Sequence, residues 1–169
     1  MEPSTFESYV EQRGASLIRL AYLLLHDHHL AQDLTQETLA RLHRHWTKVS
    51  AYDDPDAYVR RIMVNQLTSW RRRRSWSERT GPEIDREDAA DDPAIAGVER
   101  DEMWERLKTL SPQQRAVIVL RFYEDLDDAT IASLLDCSQA TVRSHASKAL
   151  AKLRSASNQS DLARGGSRG

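Results

Sequence analysis

Residues 126–150 read Leu126-Asp127-Asp128-Ala129-Thr130-Ile131-Ala132-Ser133-Leu134-Leu135-Asp136-Cys137-Ser138-Gln139-Ala140-Thr141-Val142-Arg143-Ser144-His145-Ala146-Ser147-Lys148-Ala149-Leu150. The stretch divides into a short helix, a turn of about three residues at Asp136-Cys137-Ser138 and a longer helix, the layout of a helix-turn-helix. Ile131, Leu134 and Leu135 on the first helix face Val142 and Leu150 on the second, and Ala132 is small enough to let the helices approach. Ser138 can cap the second helix, because its hydroxyl can accept an orphan backbone N–H. Cys137 in the turn reads as a small packing residue rather than a reactive thiol. The second helix then offers Gln139, Thr141, Arg143, Ser144 and His145, with Lys148 a turn further on. Side chains of these types reach base edges and phosphates once a helix lies in a major groove. A plain helical hairpin with a solvated basic face is the simpler alternative, but it leaves the small residue and the turn unexplained.

Upstream, Ser111-Pro112 opens another helix, with Ser111 as cap, Pro112 in the first position and Gln114 completing a capping box. Ala116, Val117, Val119 and Leu120 fill its buried face, and Met103, Trp104 and Leu107 show helical spacing just before it. This second module is expected over 99–154. Residues 76–98 contain Gly81, Pro82, Pro93 and Gly97 and most of a run of ten acids spread over 78–102, a composition that predicts a flexible, self-repelling linker. The Ser-, Gly- and Arg-rich tail, 155–169, is predicted to be disordered.

The first module is expected over 5–75. Ser4 and Glu7 match a capping box, and Phe6, Val10, Leu17, Ala21 and Leu24/Leu25 then fall near one helix face. Asp27 can cap a second helix, in which Leu30, Leu34, Leu42 and Trp46 follow steps of four with Thr38 interrupting them. Asp54-Pro55 reads as the cap and first position of a third helix through Tyr58, Val59, Ile62, Met63 and Leu67. No stretch alternates apolar and polar residues in the manner of a strand, and no Asn-Gly or Asp-Gly turn occurs. The fold class is therefore all-α: two small helical domains joined by an acidic linker.

The chain carries 24 basic and 26 acidic residues, a formal net charge of −2. That balance argues against a polyanion partner, and the distribution reverses the argument. Residues 59–74 hold six arginines (Arg60, Arg61 and Arg71 to Arg74) and no acid, and residues 139–154 hold Arg143, Lys148, Lys152 and Arg154 and again no acid. No apolar run approaches the roughly 20 residues needed to cross a bilayer, and no basic-then-apolar leader opens the chain. One cysteine excludes an internal disulfide and a cysteine-based zinc cage. A reducing, cytoplasmic setting without membrane insertion is expected.

Several motifs together resemble the extracytoplasmic-function sigma factors of the sigma-70 family, in their compact actinobacterial, SigE-like type. Asp33-Leu34-Thr35-Gln36-Glu37-Thr38 is similar to the family's docking motif for core RNA polymerase, which implies polymerase contacts for Asp33, Gln36 and Glu37. The helix bearing Tyr58, Arg60, Arg61, Asn65, Trp70 and Arg71, Arg72, Arg73 and Arg74 is similar to the promoter-melting segment. Leu110-Ser111-Pro112-Gln113-Gln114-Arg115, followed by Leu120-Arg121-Phe122-Tyr123, resembles the opening of the C-terminal promoter-reading domain. The resemblance covers residues 5–154 or so. It implies that the first domain is sigma region 2, which docks on polymerase and opens the minus-10 element, and that the second is region 4, which reads the minus-35 element through its helix-turn-helix. It further implies promoter DNA and core polymerase as partners, room for an anti-sigma factor, and neither cofactor nor catalytic residue. One departure is visible: Asp136 stands where the family usually has glycine, and aspartate tolerates the left-handed backbone better than most residues.

The residue chemistry agrees with that implication. Opening DNA means capturing unpaired bases, which calls for aromatic and polar edge-readers beside backbone-binding cations. Tyr52, Tyr58, Asn65 and Trp70 next to the arginines supply these groups, and by family analogy the loop Val49 to Pro55 would hold a flipped base. Helical spacing alone leaves Tyr58 and Trp70 open between DNA contact and core packing. Two other functional classes compete with this one. His29, Asp33 and Glu37 lie one turn apart, as metal ligands would, but the partner Glu-x-x-His motif of helical metalloenzymes is missing; His26, His28 and His29 read as solvated helix-end residues. A free-standing regulator would use the C-terminal reader as a dimer, and the sequence shows no dimerisation heptads.

Overall fold

The structure is a computed structural model that describes the backbone of residues 5–74 and 102–165 and the side chains of 5–73 and 104–159. The expected linker 76–98 lies outside the described residues. Among the described residues all regular elements are helical: α1 (Phe6–Leu25), α2 (His28–Val49) and α3 (Pro55–Arg74), then α4 (Glu102–Leu107), α5 (Pro112–Ile118), α6 (Asp128–Leu135) and α7 (Gln139–Gly165). The chain divides into two compact units, Met1–Val98 and Glu99–Gly169.

In the first unit α1 packs on α2 and α2 on α3. The α1–α2 turn is two residues long. His26 takes the left-handed conformation (φ 55°), its N–H returning to the Tyr22 carbonyl, and Asp27 caps α2 by accepting the Leu30 N–H at 2.9 Å. α1 begins one residue later than the sequence suggests. Its cap is Thr5, whose hydroxyl accepts the Ser8 N–H at 3.1 Å; Ser4, the expected cap, lies outside the described residues. The core combines Leu17, Leu20, Ala21 and Leu24 of α1 with Ala31, Leu34 and Leu42 of α2 and Val59, Met63, Val64 and Leu67 of α3. Thr38 is fully buried within that stripe and does not interrupt it. Its hydroxyl donates to the Leu34 carbonyl at 2.7 Å, and Thr35 does the same to Ala31, so the threonines bury no unpaired hydroxyl. The three histidines are also placed differently from expectation. His26 stacks on the buried Tyr22 ring, His28 Nε2 lies 3.2 Å from its phenol oxygen, and His29 is half-buried. A buried tyrosine needs a partner for its hydroxyl, and this supplies it.

In the second unit Ser111 and Gln114 form the complete capping box that opens α5. The helix continues into one π-helical turn, Val119–Tyr123. Ala116 through Leu120 are all buried, more than one helix face can hold, because α6 and α7 both pack against this segment. Arg115 reaches back from α5 to the end of α4, donating to the carbonyls of Leu107 (3.1 Å) and Leu110 (3.2 Å). Burial pulls its guanidinium below the ordinary arginine value. Arg121 pairs with Asp128, joining the π turn to the first turn of α6.

The helix-turn-helix forms as read, with one adjustment to its core. Asp127 caps α6 by accepting the Thr130 N–H at 2.8 Å, and this hydrogen bond holds its carboxyl below the usual carboxylate range. Asp136 ends α6 in the left-handed region (φ 54°), and the N–H groups of Asp136 and Cys137 both return to the Ala132 carbonyl. Glycine pays no Cβ penalty there. Asp136→Gly is therefore expected to raise stability by about 0.5–1 kcal/mol and Asp136→Val to lower it, both read from thermal midpoints; a lower midpoint for the glycine variant would contradict the assignment. Val142, Ala146, Ala149 and Leu153 form the buried stripe of α7, and Leu150, one residue off that stripe, is only half-buried, as are Leu135 and Cys137. α7 itself runs to Gly165, so residues 155–165 are helical where a disordered tail was expected. That segment lacks proline and has no glycine before 165, and extending a formed helix costs far less than nucleating one.

Candidate nucleic-acid interface

Ser138 fixes the start of α7: its Oγ accepts the Thr141 N–H at 3.1 Å and lies 2.9 Å from the Thr141 hydroxyl. Thr141 is thus partly engaged in the cap. Outside the buried stripe, Gln139, Thr141, Arg143, Ser144 and Lys148 are exposed and His145 is half-buried. Gln139 and Arg143 are one turn apart on one flank of the stripe, and Thr141, Ser144 or His145, and Lys148 are a turn apart on the other. Lys152 and Arg154 extend the exposed cationic surface. Cys137, beside this turn, has its thiol pushed up by partial burial and then by the Asp136 carboxylate, which disfavours the thiolate and suits a packing role.

In the first unit the loop between α2 and α3 is held at both ends. The N–H groups of Ser50, Ala51 and Tyr52 return to Trp46, Lys48 and Val49, while Asp54 caps α3 by accepting the Ala57 N–H at 3.1 Å. Asp56, in the first turn of α3, accepts the Tyr9 hydroxyl at 2.9 Å and pairs with Arg13 at 2.6 Å. Burial, then the Asp56 bond, pushes the Tyr9 phenol well above its ordinary value, so it stays a donor. The sequence reading missed this Tyr9–Arg13–Asp56 anchor, because it joins side chains 47 positions apart. The anchored loop presents Tyr52, 38% exposed, edge-on to Tyr58 with ring centroids 5.4 Å apart.

Along α3, Arg61, Asn65 and Arg72 are exposed at helical spacing, Arg60 and Arg71 are half-buried, and Arg73 is exposed with an Nη2 bond to Ser69 at 3.0 Å. The Arg74 side chain lies outside the described residues. Trp70 is placed on another side. Val59, Met63, Val64, Gln66 and Leu67 are the residues α3 buries, and Trp70 continues the 63–67 side of that stripe one turn on. Its indole Nε1–H donates to Glu37 Oε2 on α2 at 2.9 Å. The structure therefore brings Trp70 to the side of Asp33, Gln36 and Glu37, all three exposed on α2. A cleft of about 250 Å³ beside them is lined by Leu30, Asp33, Trp70 and Arg73. The stripe at 63, 67 and 70 was the signal in the sequence.

No helix is long and apolar enough to cross a membrane, and no three His, Cys, Asp or Glu side chains gather as a metal site, among the described residues.

Two family models match the chain: sigma-70 region 2 over residues 9–77 and sigma-70 region 4 over residues 100–153. The RNA polymerase sigma-E factor of Streptomyces coelicolor is 38% identical over 149 residues, covering 88% of this chain and 84% of the relative. That of Streptomyces avermitilis is 36% identical over 157 residues, 93% and 87% of the two chains. Among solved structures, the sigma factor RpoE, in complex with the anti-sigma factor NepR from Bartonella quintana, aligns with a TM-score of 0.64 at 20% identity, over 89% of this chain and 94% of that one. CnrH, in complex with the cytosolic domain of CnrY, aligns at 0.58 and 21% identity, over 91% and 88%. At such identities these two show a shared fold. The family matches and the sigma-E relatives carry the assignment further: this chain belongs to the sigma-70 family of RNA polymerase sigma factors, within its extracytoplasmic-function group.

Proposed function

We propose the following division of labour within a sigma factor that directs promoter-specific initiation. α7, through Gln139, Thr141, Arg143, Ser144, His145 and Lys148, reads the minus-35 duplex. The α2–α3 loop and α3, through Tyr52, Tyr58, Arg60, Arg61, Asn65 and Arg71 to Arg74, capture the minus-10 element as it opens. Asp33, Gln36 and Glu37 on α2 hold core polymerase. The observation that supports this most is the pairing, within one small unit, of an exposed carboxylate face on α2 with the arginine-rich stretch 59–74 of α3, which carries no acid. A protein that only binds DNA has no use for an exposed acidic face beside its cationic helix, since that face repels phosphate.

In this reading the chain contributes binding and no bond-making chemistry of its own, and it acts in the cytoplasm, where polymerase is. One solved structure of similar fold is a sigma factor in complex with an anti-sigma factor; a protein partner of that kind for this chain belongs to the same proposal.

The test combines core polymerase, the full chain and a promoter fragment, with permanganate reporting unstacked thymines. Reactivity near the start site that needs both proteins is the expected result, and duplex binding by a dimer of the chain alone, with no opening, would overturn the reading. Asp33→Ala is expected to keep the fold, because the residue is exposed, and to weaken polymerase binding roughly three- to tenfold, the scale of one charged contact. Unfolding of that variant would remove Asp33 from the docking face.

A further inference from the structure

We infer that Trp70 is a positioning residue for polymerase docking, acting through Glu37, rather than a reader of DNA bases; the inference rests on the proposed role of the α2 face. Three observations converge. The indole Nε1–H donates to Glu37 Oε2 at 2.9 Å across the α2–α3 seam. Trp70 continues the stripe of α3 that packs toward α2, while Arg61, Asn65 and Arg72 occupy the exposed side. Asp33, the other acid of the docking motif, lines the same cleft as Trp70.

A glutamate on an exposed helix face samples several rotamers, and a partner that engages it must freeze them. The indole N–H freezes the Glu37 carboxylate beforehand and lowers the ordering cost of docking. A carboxylate has lone pairs for more than one donor, so Trp70 holds Glu37 without displacing a cationic partner. The same bond fixes the α3 backbone where the run Arg71 to Arg73 begins. Docking at Glu37 and the placement of the arginines are then coupled, and the coupling runs equally in both directions.

The test measures affinity of the full chain for core polymerase without DNA, for wild type, Trp70→Phe, Glu37→Ala and the double variant. Trp70→Phe keeps an aromatic ring and removes only the donor. It is expected to weaken binding roughly two- to tenfold, the scale of one net hydrogen bond. Once Glu37 is alanine, the same change is expected to add little, because the contact it acts through is already gone. In the NMR spectrum, the Trp70 indole N–H resonance is expected to move in Glu37→Ala, which a packing role alone would not require. Should Trp70→Phe fail to fold, that resonance decides: a shift supports the contact and an unmoved resonance overturns it. Wild-type affinity in Trp70→Phe without DNA, with loss only on opened promoter DNA, would make Trp70 a base reader and overturn the inference. Absence of polymerase binding by the wild-type chain would instead sink the proposed function and the inference with it.

Discussion

Arg143→Ala is expected to weaken promoter binding by about 1–3 kcal/mol, roughly five- to 150-fold, and to relax the preference at one base pair of the upstream element. Arg143 follows the Ser138 cap by five residues, is exposed, and borders the buried Val142–Ala146–Ala149 stripe that fixes the rotation of α7. A guanidinium so placed can pair with two acceptors on one guanine edge. Binding of the polymerase complex to a set of single-base variants of its promoter separates two outcomes. Loss confined to one position identifies base reading. Uniform loss across sequences, with the salt slope reduced by about one, identifies a phosphate contact and removes Arg143 from the specificity set.

The second large effect concerns stability of the reading unit. Arg115→Met is expected to destabilise it by about 2–4 kcal/mol, because the half-buried guanidinium supplies two charge-assisted bonds, to the carbonyl of Leu107 at the end of α4 and to that of Leu110 just before α5. Methionine keeps the aliphatic volume and removes both donors. Lysine is expected to recover only part, since one ammonium cannot reproduce the fork that spans Leu107 and Leu110. Hydrogen exchange at the α7 core amides reads the effect, with protection falling roughly 30- to 1,000-fold. Unchanged protection would mean that the carbonyls are equally well served by water.

The features legible in the sequence are those whose physics is local. The caps at Asp27, Asp54, Ser111 and Ser138 each act on an amide three residues on, so a short window contains the whole interaction. Asp136 in the left-handed region could likewise be anticipated from its place in the turn. Thr38 misled because a hydroxyl counts as polar until its bond to Leu34 is seen. The histidines misled because their partner, Tyr22, is defined by a turn whose geometry spacing does not reveal. Ala146 and Ala149 outrank Leu150 in the reading unit because stripe phase, rather than side-chain size, decides burial. Leu150 drew notice only by being large. The continuation of α7 past 154 was missed because composition weighs serine and glycine, not the helix already formed in front of them. At the candidate site, the exposed faces of α2, α3 and α7 were legible from charge and periodicity. The Glu37–Trp70 and Tyr9–Asp56 contacts were not, since each joins residues more than thirty positions apart.

In the proposed division of labour, the first unit of this chain holds polymerase while the helices of both units select where transcription begins. Mapping RNA 5′ ends from a random promoter library, transcribed by core polymerase with and without the full chain, tests it most directly. The account predicts a discrete set of start sites that appears only with the chain and shares two conserved elements at fixed spacing. The same scattered 5′ ends with and without the chain would contradict it.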